Sequence, residues 1–287
     1  VVLALGHQMQ QRIAFCHRYN LPAPVLGGLV VCLALLLLRQ GGITPPRLDM
    51  SAKTPLMIAF FTTIGLGASF ELLKRGGRIV MVFFGIAVAG AVLQNLLGAG
   101  LALAMGEKPL LGVLAGSVTL TGGPATGLAF APQFEAAGIA GAEAIAVAAA
   151  MCGIILGGVV GTPAGTWLIE RFHPRAPGLA ETVQGQVLTA LNRSLLEGRS
   201  DAADLLKAVG VIWVAMWAGG WISQGLTALG MTLPAYIGAM LAAAVIRNAD
   251  DRWRWLRLSE PAVDALGGIA LSFFLVLSLM SLELWKL

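Results

Sequence analysis

Of the 287 residues, 57% are hydrophobic and 12% charged, and a mean hydropathy of +0.81 excludes an ordinary soluble domain, which needs far more charge to cover its surface. The surplus of 19 Lys and Arg over 15 Asp and Glu is too small to imply nucleic acid as a partner, so the positions of the basic residues say more than their sum. The expected class is an all-α polytopic membrane protein whose first partner is the lipid bilayer.

The chain opens Val1-Val2-Leu3-Ala4-Leu5 without Met or a basic leader, so no signal peptide is expected here, and residues ahead of Val1 are expected to be missing. A spanning helix needs roughly 20 apolar residues. The runs that approach or meet that length are residues 1 to 16, Leu21 to Leu38, Pro55 to Leu73 and Ile79 to Met105. Pro22 and Pro24 open the second run, Arg39 closes it, and a polar turn from Gly41 to Lys53 follows. Glu71 belongs with Lys74 and Arg75 in a charge cluster at the membrane boundary. Gln94-Asn95 lies near the middle of the fourth run, as either a substrate-facing pair or a source of interhelical hydrogen bonds. Cys16, Cys32 and Cys152 read as small apolar fillers, and His7, His17 and His173 do not cluster.

Pro109 to Leu120 is apolar but too short to cross. It leads into Ser117-Val118-Thr119-Leu120-Thr121-Gly122-Gly123-Pro124-Ala125-Thr126-Gly127, a hydroxyl-rich stretch that reads as unwound, because Gly-Gly-Pro should stop any helix. Leu128 to Glu135 forms a second short arm. Two short arms around a glycine tip describe a re-entrant hairpin over about 109–137, tolerated at membrane depth only where protein or a wet cavity surrounds it. A span from Ile139 to Leu168 follows. Glu143 near its start is a candidate for an interfacial or coupling role, and Gly153, Gly157, Gly158 and Gly161 are expected points of close helix packing. Beyond the polar segment Glu170 to Asp204 come Leu205 to Leu229, Leu233 to Ile246, a charged loop Arg247 to Arg257, and Ala262 to Leu284.

Leu233-Pro234-Ala235 echoes Leu21-Pro22-Ala23. The shift of 212 residues that aligns them also carries Glu71, Leu72 and Lys74 onto Glu283, Leu284 and Lys286. The expected organisation is an inverted-repeat secondary transporter. Residues 1–169 form the first repeat, with five crossings (the first truncated) and the hairpin; 170–204 form a linker; 205–287 begin a second repeat with three crossings. The hairpin's counterpart would fall beyond Leu287, so the second repeat is expected to be incomplete. This threading gathers Arg12, Arg18, Lys74, Arg75, Arg78, the linker, Lys207 and the Arg247–Arg257 loop on one side, leaving Arg39, Arg47, Lys53, Lys108 and Lys286 on the other. By the positive-inside bias the first side is cytoplasmic, and the hairpin enters from the outer side.

The tip carries the chemistry. Unwound carbonyls can coordinate a dehydrated cation, helix N-termini can receive a carboxylate, and hydroxyls such as Thr121 and Thr126 add ligands. Thr119, Thr121, Gly122, Gly123, Thr126, Gly127 and Asn95 are the candidate substrate-binding residues. The bland alternative is a Gly-Gly-Pro turn between helices of a bundle. There is no His-Glu-x-x-His, no Gly-rich nucleotide loop and no intramembrane acid pair, so no enzyme is expected.

Leu21-Pro22-Ala23-Pro24-Val25-Leu26-Gly27-Gly28, Pro55 to Leu66, Gln94-Asn95, and above all Leu114-Ala115-Gly116-Ser117-Val118-Thr119-Leu120-Thr121-Gly122-Gly123 resemble the sodium/glutamate symporters of bacterial inner membranes. The resemblance implies two inverted repeats, a homodimeric scaffold, and elevator-like movement that couples uptake of glutamate, a small anionic amino acid, to Na+. It implies no organic cofactor, and Ser117, Thr119 and Thr121 are the Na+ candidates. Members usually continue Gly-Gly with His-Gly-Thr-Gly where this chain has Pro124-Ala125-Thr126-Gly127, and carry Asn where it has Gly67. These departures keep two alternatives open: a carrier of another small organic anion, and a non-transporting membrane sensor or assembly module.

Overall fold

A computed structural model describes residues 1–13, 21–42, 48–172, 202–231, 233–234 and 236–281. Every regular element among them is helical: α1 (Val2–Arg12), α2 (Ala23–Gln40), α3 (Lys53–Gly67), α4 (Phe70–Ala104), α5 (Pro109–Val113) with a π-helical continuation Leu114–Val118, α6 (Gly123–Ala136), α7 (Ala142–Leu156), a π-helical Gly157–Gly161, α8 (Thr162–Phe172), α9 (Ala202–Ala228), α10 (Tyr236–Trp253) and α11 (Glu260–Met280). Five stretches are long and apolar enough to cross a membrane: α2, α4 from Gly76 onward, the run from α7 through α8, α9 and α11. The shorter or more charged α1, α3 and α10 pack among them.

The core is a set of helix pairs brought together by small residues. α3 packs against both α10 and α11, α11 also against α2, α1 pairs with α2, and α9 pairs with α10. A Cβ on Gly6 would overlap the Ala23 carbonyl and one on Gly27 the Val2 carbonyl, so the backbones of α1 and α2 touch; Gly219 against Ala239 does the same for α9 and α10. Close approach of this kind replaces the hydrophobic driving force that lipid does not supply between helices. Around these contacts Val25, Cys32, Phe274, Leu275 and Leu279 form one buried cluster, and Leu66, Ala208, Ile212, Ala243 and Val263 another. Cys32 is the filler expected of it, whereas Cys152 is exposed.

Polar groups tie the helix ends. At one end Lys53, opening α3, meets Glu143, opening α7, at 2.6 Å, and Ser281, just past α11, at 3.2 Å. At the other end Asn248 of α10 accepts from the Phe70 amide and donates to the Ala68 carbonyl, each at 2.8 Å, while the Ser69 hydroxyl donates to Asp251. Asp250 accepts three backbone amides, from Leu256, Arg257 and Leu258, at 2.7 to 2.9 Å. Burial pushes the Asp250 carboxyl up, but these donors outweigh it and hold it below the ordinary carboxylate range.

Several boundaries differ from expectation. The helix read through to Leu73 ends at Gly67, because Asn248 and Asp251 hold Ala68 and Ser69 as a connector, and α4 starts at once at Phe70 with a break at Gly77, φ +55°. The charged stretch from Arg247 is helical through Trp253, since Arg247, Asp250 and Asp251 meet partners rather than water alone. Gly153 does back closely onto Leu120, but beyond their own helix no atom of the described residues lies within 4 Å of a Cβ placed on Gly157 or Gly161, which sit in a π-helical turn instead. Most of the expected linker, Cys16, His173 and the repeat matches at Glu283, Leu284 and Lys286 lie outside the described residues.

Candidate functional site

The backbone break begins inside the first short arm. Pro109 opens α5 in the first turn, where its missing N–H has no helical partner to lose. After that turn the winding loosens into the π-helical stretch, and Gly116 leaves helical geometry at φ −88°, ψ −128°. The Ser117 amide finds its acceptor in Asn95 Oδ1 of α4, at 3.1 Å. The neighbouring Gln94 Oε1 accepts the Thr121 hydroxyl at 2.7 Å. A Cβ on Gly116 would press on Asn95 Oδ1 and the Gln94 carbonyl, so the missing side chain admits both. One turn away Gly98 and Gly112 set the two backbones in contact, since a Cβ on either would overlap the carbonyl oxygen of the other.

Thr119 is 1% exposed and its hydroxyl donates to the Leu114 carbonyl at 2.9 Å. The chain turns at Thr121–Gly122, whose two amides both donate to the Ser117 carbonyl at 3.1 Å. Gly123 takes φ +73°, a left-handed conformation that a β-carbon disfavours, and α6 begins there with Pro124 in its first turn. Gly-Gly-Pro therefore separates two helices rather than leaving the chain unwound as expected. The reason is that a first-turn proline removes only a donor without a partner. Thr126 and Gly127 consequently sit within α6, not in loose backbone.

Both ends of this element are fastened. At the tip a Cβ on Gly127 would crowd the Thr119 side chain and Ala146 of α7. At the feet Lys108 Nζ donates to the Gly138 carbonyl at 2.7 Å, so the chain leaves and returns at the same end. Leu114, Ala131, Ala142 and Ala146 bury the arms against α7. On its other flank α6 sets Ala125 and Leu128 against Val25, Phe274 and Leu275. Phe130 meets Tyr236 edge-on at 6.2 Å between ring centroids, and Tyr236 stacks on Phe61 at 3.9 Å.

The polarity of this arrangement decides what it can hold. The first arm ends at the tip with its carbonyls, and α6 starts there with amides that no side chain caps. A partial negative and a partial positive charge thus lie side by side, the first suited to a cation and the second to a carboxylate. The structure brings together Asn95, Ser117, Thr119, Thr121, Gly122, Gly123, Thr126 and Gly127, with Thr121 and Gly122 exposed, Ser117 and Thr126 half-buried, and Thr119 and Gly127 buried. Asn95 Oδ1 and the Thr119 hydroxyl are engaged in holding the tip itself. Sequence reasoning missed Lys108 and Gly138 as its fastening. The only available signal was a lysine directly before a short proline-started arm and a glycine directly after the second.

The family model for the sodium/glutamate symporter matches residues 1–287. The chain is similar to the sodium/glutamate symporters of Escherichia coli (strain K12) and Shigella flexneri, each 36% identical over 288 residues, and to that of Haemophilus influenzae, 33% identical over the same length. Each alignment covers all of this chain and 71% of the relative. No solved structure matches it. With five apolar stretches long enough to cross a membrane and a family match along its whole length, the chain belongs to the sodium/glutamate symporter family.

Proposed function

We propose that this protein carries out sodium-coupled uptake of glutamate across the bacterial inner membrane, with the Ser117–Gly127 tip of a re-entrant hairpin forming one half of the binding site. The observation that carries this reading is the opposed polarity of the two arms at one turn, uncapped on the α6 side. Na+, as cargo, takes the carbonyl end with the Ser117 and Thr121 hydroxyls and the backbone around Thr119. The substrate carboxylate takes the amides at Gly123 and beyond, near Gly122, Thr126 and Gly127. Each ion offsets the charge of the other in a site with few formal charges, so binding of one favours binding of the other. That differential affinity is what lets the Na+ gradient do work.

The inverted repeat and elevator-like movement belong to the same proposal. In support, the 212-residue shift carries Ala23, where α2 begins, to the residue before Tyr236, where α10 begins. It also carries Gly27 onto Ala239 and Gly6 to within one residue of Gly219, so the two touching helix pairs use corresponding positions. Span ends and loops that the threading puts on one side of the membrane meet one another: Ala68–Phe70 with Asn248 and Asp251 at one end, and Lys53, Glu143 and Ser281 at the other. A homodimeric scaffold is included, and native mass spectrometry of the purified protein tests it.

Uptake of labelled glutamate into vesicles bearing the protein, with and without an inward Na+ gradient, tests the function. Accumulation only with the gradient is expected. Uptake indifferent to Na+ would overturn symport.

A further inference from the structure

A groove of about 460 Å³ runs between α9 and α10 at the end of the molecule that bears the Arg247–Arg257 stretch. On α9 its wall is Lys207, Gly210, Val211 and Val214, spaced as one helical face; on α10 it is Ile246, Ala249 and Asp250. Trp255 and Leu256 close its polar end. Beyond its own helix, nothing among the described residues lies within 4 Å of a Cβ placed on Gly210, so the missing side chain leaves open space in the wall.

The lining is graded. Val214 and Ile246 lie deepest along their helices, and Lys207, Asp250 and Trp255 sit at the polar end, where Trp255 is 75% exposed. The charges at that end are not balanced. Asp250 is held by three backbone amides, and Asp251 is occupied by Ser69 and Arg247, which also reaches Glu260. Lys207 shares an exposed pair with Asp204 at 3.6 Å. Arg252, Arg254 and Arg257 are exposed and form no ion pair among the described residues, and the last two directly flank Trp255-Leu256.

We propose that this groove is a binding site for one anionic phospholipid of the adjoining leaflet. Its acyl chain lies along Gly210, Val211, Val214 and Ile246. Its phosphate headgroup meets Lys207, Arg254 and Arg257, and Trp255 sits at the interface between chain and headgroup. An apolar slot beside the unpaired Arg254 and Arg257, with Lys207 at its mouth in only an exposed pair, fits a ligand that is itself apolar at one end and negative at the other. The asymmetry favours an anionic headgroup over a neutral one, whichever leaflet adjoins the groove.

Native mass spectrometry of the purified protein with added phosphatidylglycerol or phosphatidylcholine tests the assignment. One phosphatidylglycerol should be retained per chain at activation energies that strip phosphatidylcholine. R254Q/R257Q should lower that retention about thirtyfold, the loss expected for two surface charges. G210F, which fills the slot, should abolish it for both lipids. The two arginine side chains are exposed, so their variant reports on binding even where G210F fails to fold. Equal retention of the two lipids by the wild-type protein, or unchanged phosphatidylglycerol retention in R254Q/R257Q, would overturn the proposal.

Discussion

Asn95 Oδ1 lies 3.1 Å from the Ser117 amide, so a helix 22 residues earlier supplies the acceptor at the point where Gly116 leaves helical geometry. With Gln94 on Thr121, this makes α4 the support of the tip rather than a neighbour of it. Asn95→Leu leaves a backbone donor without a partner at membrane depth, which should destabilise the protein by about 1–3 kcal/mol. Thermal unfolding in detergent measures the loss. Gln94→Leu, which removes only the bond to an exposed hydroxyl, should cost less.

The contact between Gly98 and Gly112 leaves no room for a side chain on either helix. Gly112→Val should therefore separate α4 from α5, lowering stability by about 1–3 kcal/mol and reducing uptake with it. Gly67 is the control, since a Cβ there meets nothing within 4 Å among the described residues outside its own helix. Gly67→Asn should stay within about 0.5 kcal/mol of the parent, and any change in substrate preference would then be a functional effect.

Lys53 and Glu143 join the start of α3 to the start of α7, each with a side chain 21% exposed. Reversing either charge alone should destabilise by about 1 kcal/mol or more, and the double exchange K53E/E143K should recover most of it. A double-mutant cycle on melting temperature reads the coupling. Additive single effects would show that the pair is not a joint.

Asp250 gives the fold an acid dependence. Its carboxyl is held low by the Leu256, Arg257 and Leu258 amides, so its contribution is complete above the unfolded value of about 3.9 and is lost as pH falls through the lower folded value. Asp250→Asn places an amide donor among three others and should cost about 1–3 kcal/mol at neutral pH. Melting curves from neutral pH downward should show the wild-type protein losing this increment in acid while the Asn variant does not.

The helical class and the apolar spans were legible because run length and charge act locally. Cys32 was legible for the same reason. What escaped was set by residues remote in sequence: α3 stops at Gly67 because Asn248, 180 residues later, takes the Ala68 carbonyl. The helical charge cluster around Asp250 and the Lys53–Glu143 joint depend on partners no periodicity reveals. At the tip, sequence placed the hydroxyls and glycines together but overestimated the unwound length, because Pro124 was read as a stop and acts as a start. The polar pair Gln94-Asn95 stood out in its apolar run, yet its role in holding the tip needed the geometry of Gly116.

The most direct test of a binding site at this tip is the rate at which a cysteine placed at Thr126 reacts with a thiol reagent, in a protein otherwise stripped of cysteine. Thr126 is half-buried at the start of α6, beside the uncapped amides. Glutamate and Na+ together should slow labelling several-fold, with each alone protecting less. A rate unchanged by both, in protein that still takes up glutamate, would contradict a site at the tip.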